Sequence, residues 1–469
     1  MKYTIATDDS WLYSTGAIKY NDLLNGEFVN ALDEIEDFAT VDCDTKNFNS
    51  VSIFEDDFNL TAQDYELIKC VNCISPTLIT VSGERIYDFD KNIVGIINAK
   101  VCAKKGTVLR FRYGEEIRIN GRIYFDNLRR AKATDYYISN GTDKDNFEPL
   151  FTYHGFRYLT VEVLQGELYE INILGKVLTS DLPQTGTFIT SSALINGIYD
   201  IIENSRSGNF MSIPTDCPQR DERLGWTGDI QVFAKSSLYM NDGLKFLSKY
   251  LEDVRNAALE NGSIYDLAPY VKEIANNGSN IWGDVIVLLP YELYNFYGDI
   301  KVLQDNYNTM VNWMKFLFEN VKDGLRINYQ NSPGDWLSTE KTDLGYLCTM
   351  YTLVCSNYVA EISEILGFDG SLYKNKYLEM KQALLDMYTD GEGRLFQETA
   401  TGYAIGIYYD ILPKNSGEYL WKLISNRKNV MSTGYVGTKM LLPVLCKIGH
   451  PEKAYELIQS VEYPSWGYM

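Results

Sequence analysis

The sequence predicts a multidomain β-plus-α chain, an antiparallel β-sandwich followed by a domain built of helices. Three observations predict it. Short segments with apolar residues at every second position recur between about 76 and 180. Beyond Ser180-Asp-Leu-Pro-Gln-Thr-Gly186 the apolar period lengthens to about 3.6 residues. At 469 residues the chain also exceeds one ordinary hydrophobic core, so two or three domains are expected.

Residues 1–75 alternate short apolar runs with Gly, Asn and Asp clusters, which predicts β-structure with loops. The acid-rich stretch Asp42 to Asp64 reads as a solvated surface. A second domain is expected over 76–185. There Thr107-Val-Leu-Arg-Phe-Arg-Tyr113 puts Leu109, Phe111 and Tyr113 on one face, and Phe156 to Val163 and Tyr169 to Leu174 repeat the pattern. Turn signals at Lys104-Lys-Gly106, Asn120-Gly121 and Asn140-Gly-Thr142 separate these strands. His154 reads as a structural histidine; for the polar run Asn127 to Asp135 a structural role is favoured over contact of its three basic residues with the next domain or a sugar. The third domain is expected over 186–469. Candidate helices fall at 191–207, 229–241, 242–258, 281–297, 300–321, 343–366, 371–389, 402–411, 415–428, 434–448 and 451–461, the run Leu344 to Leu366 being typical.

Composition narrows the function. Apolar residues at 45% and charged residues at 23% are globular values. The 43 basic against 63 acidic residues give a net charge of −20, which disfavours nucleic acid and anionic membranes as partners. A neutral sugar tolerates such an enzyme, and 36 tyrosines and 7 tryptophans supply flat faces for core packing or ring stacking. No signal-peptide core follows Met1 and no run reaches the length of a membrane helix, so a cytoplasmic location is expected. The 8 cysteines form no disulfide framework. Cys70-Val-Asn-Cys73 is a lone C-x-x-C, and with only His154 and His450 a histidine-rich metal centre is excluded.

The chemistry concentrates in Ser212 to Asp229. Pro214 and Pro218 prevent a helix through its first half, and Gly225 and Gly228 loosen the second. Asp216, Asp221, Glu222 and Asp229 lie among Arg220, Arg223 and Trp226, an arrangement that suits glycoside cleavage. Such a reaction needs a carboxylic acid to protonate the leaving oxygen and usually a second carboxylate. Thr227-Gly-Asp-Ile230 reads as a helix start with Asp229 as N-cap. A helical turn before it would put Glu222, Trp226 and Asp229 on one face. On residue types alone a bland alternative stays open, in which the ion pairs only fix the loop.

The run Asp216-Cys-Pro-Gln-Arg-Asp-Glu-Arg-Leu-Gly-Trp-Thr-Gly-Asp229 closely resembles the signature of bacterial α-L-rhamnosidases, glycoside hydrolase family 78. Tyr87-Asp-Phe-Asp-Lys-Asn-Ile, Asn127 to Asp135, Phe151-Thr-Tyr-His-Gly-Phe-Arg-Tyr158, Trp282-Gly-Asp284, Gly334-Asp-Trp336 and Tyr463-Pro-Ser-Trp-Gly-Tyr468 resemble the same family in the same order. The resemblance implies an (α/α)6 barrel, a six-hairpin glycosidase of twelve helices with the active site at one end. It implies inverting hydrolysis of terminal α-L-rhamnose with no cofactor and no metal. Glu222 matches the general acid, while Asp216, Arg220 and Asp229 match residues that hold rhamnose hydroxyls. Trp226, Trp282 and Trp336 match the aromatic wall. Asp284 and Asp335 would cap helices or orient neighbours. Burial of Glu222 against Trp226 would favour its acid form, with Arg220 and Arg223 acting the other way. The family's general base lies beyond the Tyr463–Tyr468 motif, past Met469, and eleven helices are counted where twelve are implied. An incomplete barrel implies self-association or a completing polypeptide. The alternative is a non-catalytic rhamnose-binding relative or one half of a split glycosidase; a related enzyme for another deoxysugar is a close competitor.

Overall fold

A computed structural model describes the chain from residue 6 to 469, apart from 55–60, 82–83, 273, 330, 426 and 428–430. It divides into two compact units. The first takes the chain up to Asp181 with 207–211 and 217–223, and the second takes 182–206, 212–216 and the chain from Leu224 onward.

The first unit is organised by one ten-stranded sheet. Its strands are β1 (Ile18–Asp22), β2 (Gly26–Asn30), β3 (Ile68–Ile74), β4 (Thr77–Val81), β5 (Glu84–Ala103), β6 (Val108–Gly114), β7 (Thr134–Ile138), β8 (Asn146–Phe147), β9 (His154–Gln165) and β10 (Leu168–Ser180). The order across the sheet is β1-β2-β7-β6-β9-β5-β10-β3, with β4 and β8 also paired to β5. All pairs are antiparallel except β2 with β7. The long β5 changes partners at Gly95, which faces His154 on β9 and Val177 on β10. A Cβ there would sit 1.9 Å from the Lys176 carbonyl oxygen, and φ is +155°, so only glycine fits.

Leu109, Phe111 and Tyr113 are fully buried, as their alternation predicts. Phe111 stacks on Phe147 at 5.0 Å between centroids, and Phe156 meets Phe89 edge-on at 5.2 Å. The alternation fails where strands bulge. The register of β9 shifts between Phe156 and Tyr158, and at the start of β10 Tyr169 is exposed rather than facing inward with Ile173. The described part of Asp42–Asp64 is largely exposed, while 55–60 fall outside the described residues. His154 is fully buried, stacked on Tyr113 at 4.1 Å with Nε2 3.2 Å from the Asp135 carboxylate.

Eleven α-helices occur among the described residues. They are α1 (Ala193–Asn209), α2 (Thr227–Met240), α3 (Leu244–Ala257), α4 (Val285–Tyr297), α5 (Ile300–Glu319), α6 (Leu344–Leu366), α7 (Ser371–Tyr388), α8 (Ala400–Tyr408), α9 (Ser416–Ser425), α10 (Tyr435–Lys447) and α11 (Pro451–Ile458). The candidate at 415–428 runs into residues outside the described set at 426 and 428. Within the second unit α2, α4, α6, α8 and α10 are successive neighbours, and α10 also meets α2. There Lys439 donates to the Gln231 carbonyl at 3.0 Å. Helices α3, α5, α7, α9 and α11 pack outside this inner set. Helix α6 is buried on nearly every side, which is why it reads as almost continuously apolar. Its ends carry ordinary signals, with Asp343 accepting from the Tyr346 amide and Gly367 left-handed at φ +80°. No helix among the described residues is long and apolar enough to cross a membrane.

Candidate active site

The segment Ser212 to Asp229 belongs partly to each unit. Residues 217–223 sit with the sheet. Gly155 lets the chain pass close, since a Cβ there would lie 2.8 Å from the Pro218 ring. Glu222, with 21% of its side chain exposed, takes two charged donors on Oε2, Arg220 Nε at 3.1 Å and Arg129 Nη1 at 3.2 Å. Asp221 takes Arg130 Nε at 2.9 Å. That hydrogen bond holds the Asp221 carboxyl below the usual carboxylate range, against the effect of burial.

Arg223 is not a neighbour of Glu222. Its buried guanidinium donates to the carbonyls of Leu23 at 2.6 Å and Tyr153 at 2.7 Å, and Nη2 donates to Gln219 at 3.2 Å. Backbone φ of +59° at Arg223 turns the side chain away from the one before it. The second charge on Glu222 comes from Arg129, in the run Asn127–Asp135 for which sequence reasoning favours a structural role. Its adjacent basic pair is the only signal.

The flanks of the loop sit in the helical unit. Asp216 grips Leu224 twice, its amide donating to the Leu224 carbonyl at 3.0 Å and its Oδ1 accepting from the Leu224 amide at 2.9 Å. These bonds close the loop between them. The Gly225 carbonyl accepts from Tyr250 Oη at 2.7 Å and from the Ala268 amide at 2.9 Å. Trp226 bridges to Leu267 and occupies the N-cap position of α2. The Asp266 carbonyl accepts from both the amide and the hydroxyl of Thr227, each at 2.9 Å. Helix α2 therefore begins two residues before Asp229, which lies inside the first turn and not at the N-cap. A carboxylate there is still favoured by the helix dipole. The residues before Trp226 are not helical, so no helical face carries Glu222 with Trp226 and Asp229.

Trp282 is 5% exposed and lies against α2, because a Cβ at Gly228 would come within 2.3 Å of its ring. That packing brings Trp282 beside the turn carrying Trp226 and Asp229. Trp336 is 50% exposed, and its carbonyl accepts from the Tyr435 amide at 2.9 Å at the start of α10. Both neighbouring aspartates are spent on structure. Asp284 accepts from the Ile281 amide at 2.6 Å, Trp313 Nε1 at 3.0 Å and Asn280 at 3.4 Å. Asp335 accepts from the amides of Gly434, Val436 and Gly437 at 2.8, 2.9 and 3.2 Å and from the Thr401 hydroxyl at 2.5 Å. One carboxyl escapes sequence reasoning. Asp266 is 2% exposed, takes Ser279 Oγ on Oδ2 at 2.9 Å as its only hydrogen-bond donor among the described residues, and burial pushes its carboxyl up to about 6. An Asp in a loop before Leu-Ala-Pro carries no sequence signal of that kind.

The bacterial α-L-rhamnosidase N-terminal, concanavalin-like and six-hairpin glycosidase domain families match residues 1–72, 79–179 and 183–469. The α-L-rhamnosidase of Streptomyces avermitilis is 33% identical over 99% of this chain and 46% of its own length. One from Formosa agariphila is 31% identical over 100% of this chain and 52% of its own length. The chain thus spans about half the length of these curated relatives. Among solved structures, the Streptomyces avermitilis α-L-rhamnosidase complexed with L-rhamnose superposes with a TM-score of 0.94 at 32% identity, covering 99% of this chain and 46% of that one. The native enzyme of Aspergillus terreus gives 0.93 at 30% identity, covering 99% and 56%. With the six-hairpin family matched over more than half its length, the chain belongs to the bacterial α-L-rhamnosidases.

Proposed function

We propose that this chain carries the general acid of an inverting α-L-rhamnosidase that removes terminal non-reducing α-L-rhamnose from rhamnosides. The observation that carries the reading is the likeness, at a TM-score of 0.94 and 32% identity, to an α-L-rhamnosidase solved with L-rhamnose. Glu222 acts as general acid, protonating the glycosidic oxygen as the bond to the sugar breaks. Its partial exposure fits a group that must meet substrate, and Arg220 and Arg129 fix its orientation. Asp216, Arg220 and Asp229 bind rhamnose hydroxyls. Trp226, Trp282 and Trp336 supply apolar faces, against which the C6 methyl of rhamnose is favoured over a hydroxymethyl. Inversion also requires a carboxylate that activates water about 6.5–9.5 Å from the acid. The test therefore uses a polypeptide that carries this carboxylate as well as Glu222.

The test is hydrolysis of alkyl α-L-rhamnosides and alkyl α-L-fucosides, whose leaving groups need protonation, by the wild type and Glu222→Gln. The expected result is cleavage of the rhamnoside in preference to the fucoside and a loss of about 10²–10⁴-fold in kcat in the variant. Equal rates for wild type and variant would refute the assignment of Glu222. Preference for the fucoside would refute the substrate.

A further inference from the structure

Strand β3 carries Cys70 and Cys73 at one end of the sheet order, paired to β10. In a regular strand two residues three apart face opposite sides. Here Cys70 pairs with Leu178 and Asn72 with the adjacent Val177, which leaves Val71 as an extra, bulged residue. The insertion restores the parity. Cys73 stands opposite Lys176 and Cys70 opposite Leu178, two positions apart on β10, so both cysteines share a face. Their Sγ atoms are 3.8 Å apart and both residues are exposed. A disulfide needs about 2.05 Å between sulfurs, within reach of small side-chain rotations from this separation. The Lys176 side chain, opposite Cys73 on β10, is paired with Glu148 at 2.5 Å.

We propose that Cys70 and Cys73 are a reversible dithiol–disulfide pair, oxidised by low-molecular-weight disulfides. One cysteine loses its proton and its thiolate attacks a sulfur of the small disulfide, forming a mixed disulfide and expelling one small thiol. The second cysteine then loses its proton and attacks the first Sγ, closing the Cys70–Cys73 bond and expelling the second small thiol. The protein gives up two protons and two electrons, and the oxidant takes both. Closure fixes the bulge on a strand whose outer edge is unpaired among the described residues. Burial and the adjacent Cys73 raise the Cys70 thiol above its usual range, so closure speeds up as the solution becomes more alkaline. A zinc site is the competing use of two thiols. Among the described residues, however, no third histidine, cysteine or carboxylate gathers with this pair.

The test incubates the purified chain with glutathione disulfide, quenches in acid, alkylates with iodoacetamide and maps peptides by mass. The expected result is a peptide lighter by two hydrogens, with Cys70 and Cys73 both escaping alkylation. The exposed Cys102 is expected to remain alkylated or carry glutathione. Excess dithiothreitol should restore both thiols. In Cys73→Ser, Cys70 should stop at the glutathione adduct. Glutathione on Cys70 or Cys73 in the wild type without an internal bond would overturn the proposal. So would full alkylation of both after Cys102 has reacted. Protection that appears only with added zinc and vanishes with a chelator would replace the pair with a metal site. None of these readouts depends on glycoside cleavage.

Discussion

Asp266 joins the start of α2 to the interior, and its two ends behave differently. Its carbonyl holds Thr227 in place, whereas its carboxyl is buried, with Ser279 its one hydrogen-bond donor among the described residues, and burial lifts it from 3.8 to about 6. The folded state therefore holds that proton more tightly than the unfolded state. Below about pH 4 both states are protonated and burial costs nothing through this group. Between about pH 4 and 6 the cost grows, and above that it is constant at no more than about 3 kcal/mol. Asp266→Asn, which cannot ionise, should raise the Tm at pH 7–8 relative to wild type and lose most of that advantage at pH 4. A difference that stays constant with pH would contradict the account. At this scale the sequence is legible where chemistry follows from residue type, as at Glu222 amid arginines. It is not legible where a partner comes from far along the chain. Arg129 reaches Glu222 across 93 positions, and Arg223, only one residue away from it, turns aside.

Among the elements, the N-terminus of α2 is set by close packing at Gly228. A Cβ there meets the Trp282 ring at 2.3 Å, so Gly228→Ala must push the ring or the helix aside. The expected loss is about 1–3 kcal/mol, read as a lower Tm with altered tryptophan fluorescence. Gly197 in α1 supplies the contrast, since nothing lies within 4 Å of a Cβ there. Gly197→Ala should gain up to about 1 kcal/mol from helix propensity alone. If both substitutions behave alike, the packing argument fails. Helices are readable because a buried stripe at 3.6 spacing is local information, and α6 is the clearest case. Their starts are less readable. Helix α4 begins at Val285 rather than 281 because 281–284 form a turn in which the Asp284 carboxylate takes the Ile281 amide. Strands are readable between bulges only, because a single inserted residue such as Val71 reverses every face beyond it.

For the whole molecule, the change of period near 180–186 marks where sheet gives way to helix. What sequence does not reveal is that the chain re-enters the first unit at 207–211 and 217–223. That return places Glu222 beside Arg129 of the first unit, with Arg220 of its own segment as the second partner. Net charge of −20 disfavours nucleic acid and anionic membranes as partners and is compatible with a neutral rhamnoside. The central claim is that Glu222 donates the proton to the departing oxygen. Its most direct test is the dependence of Glu222→Gln kinetics on the leaving group, measured on a polypeptide that also carries the general base. An alkyl or sugar rhamnoside, which needs protonation to leave, should lose about 10²–10⁴-fold in kcat/KM. A nitrophenyl rhamnoside, whose aglycone departs unaided, should lose far less. A loss of the same size for both substrates would contradict the account, and Glu222 would then serve binding or folding rather than proton transfer.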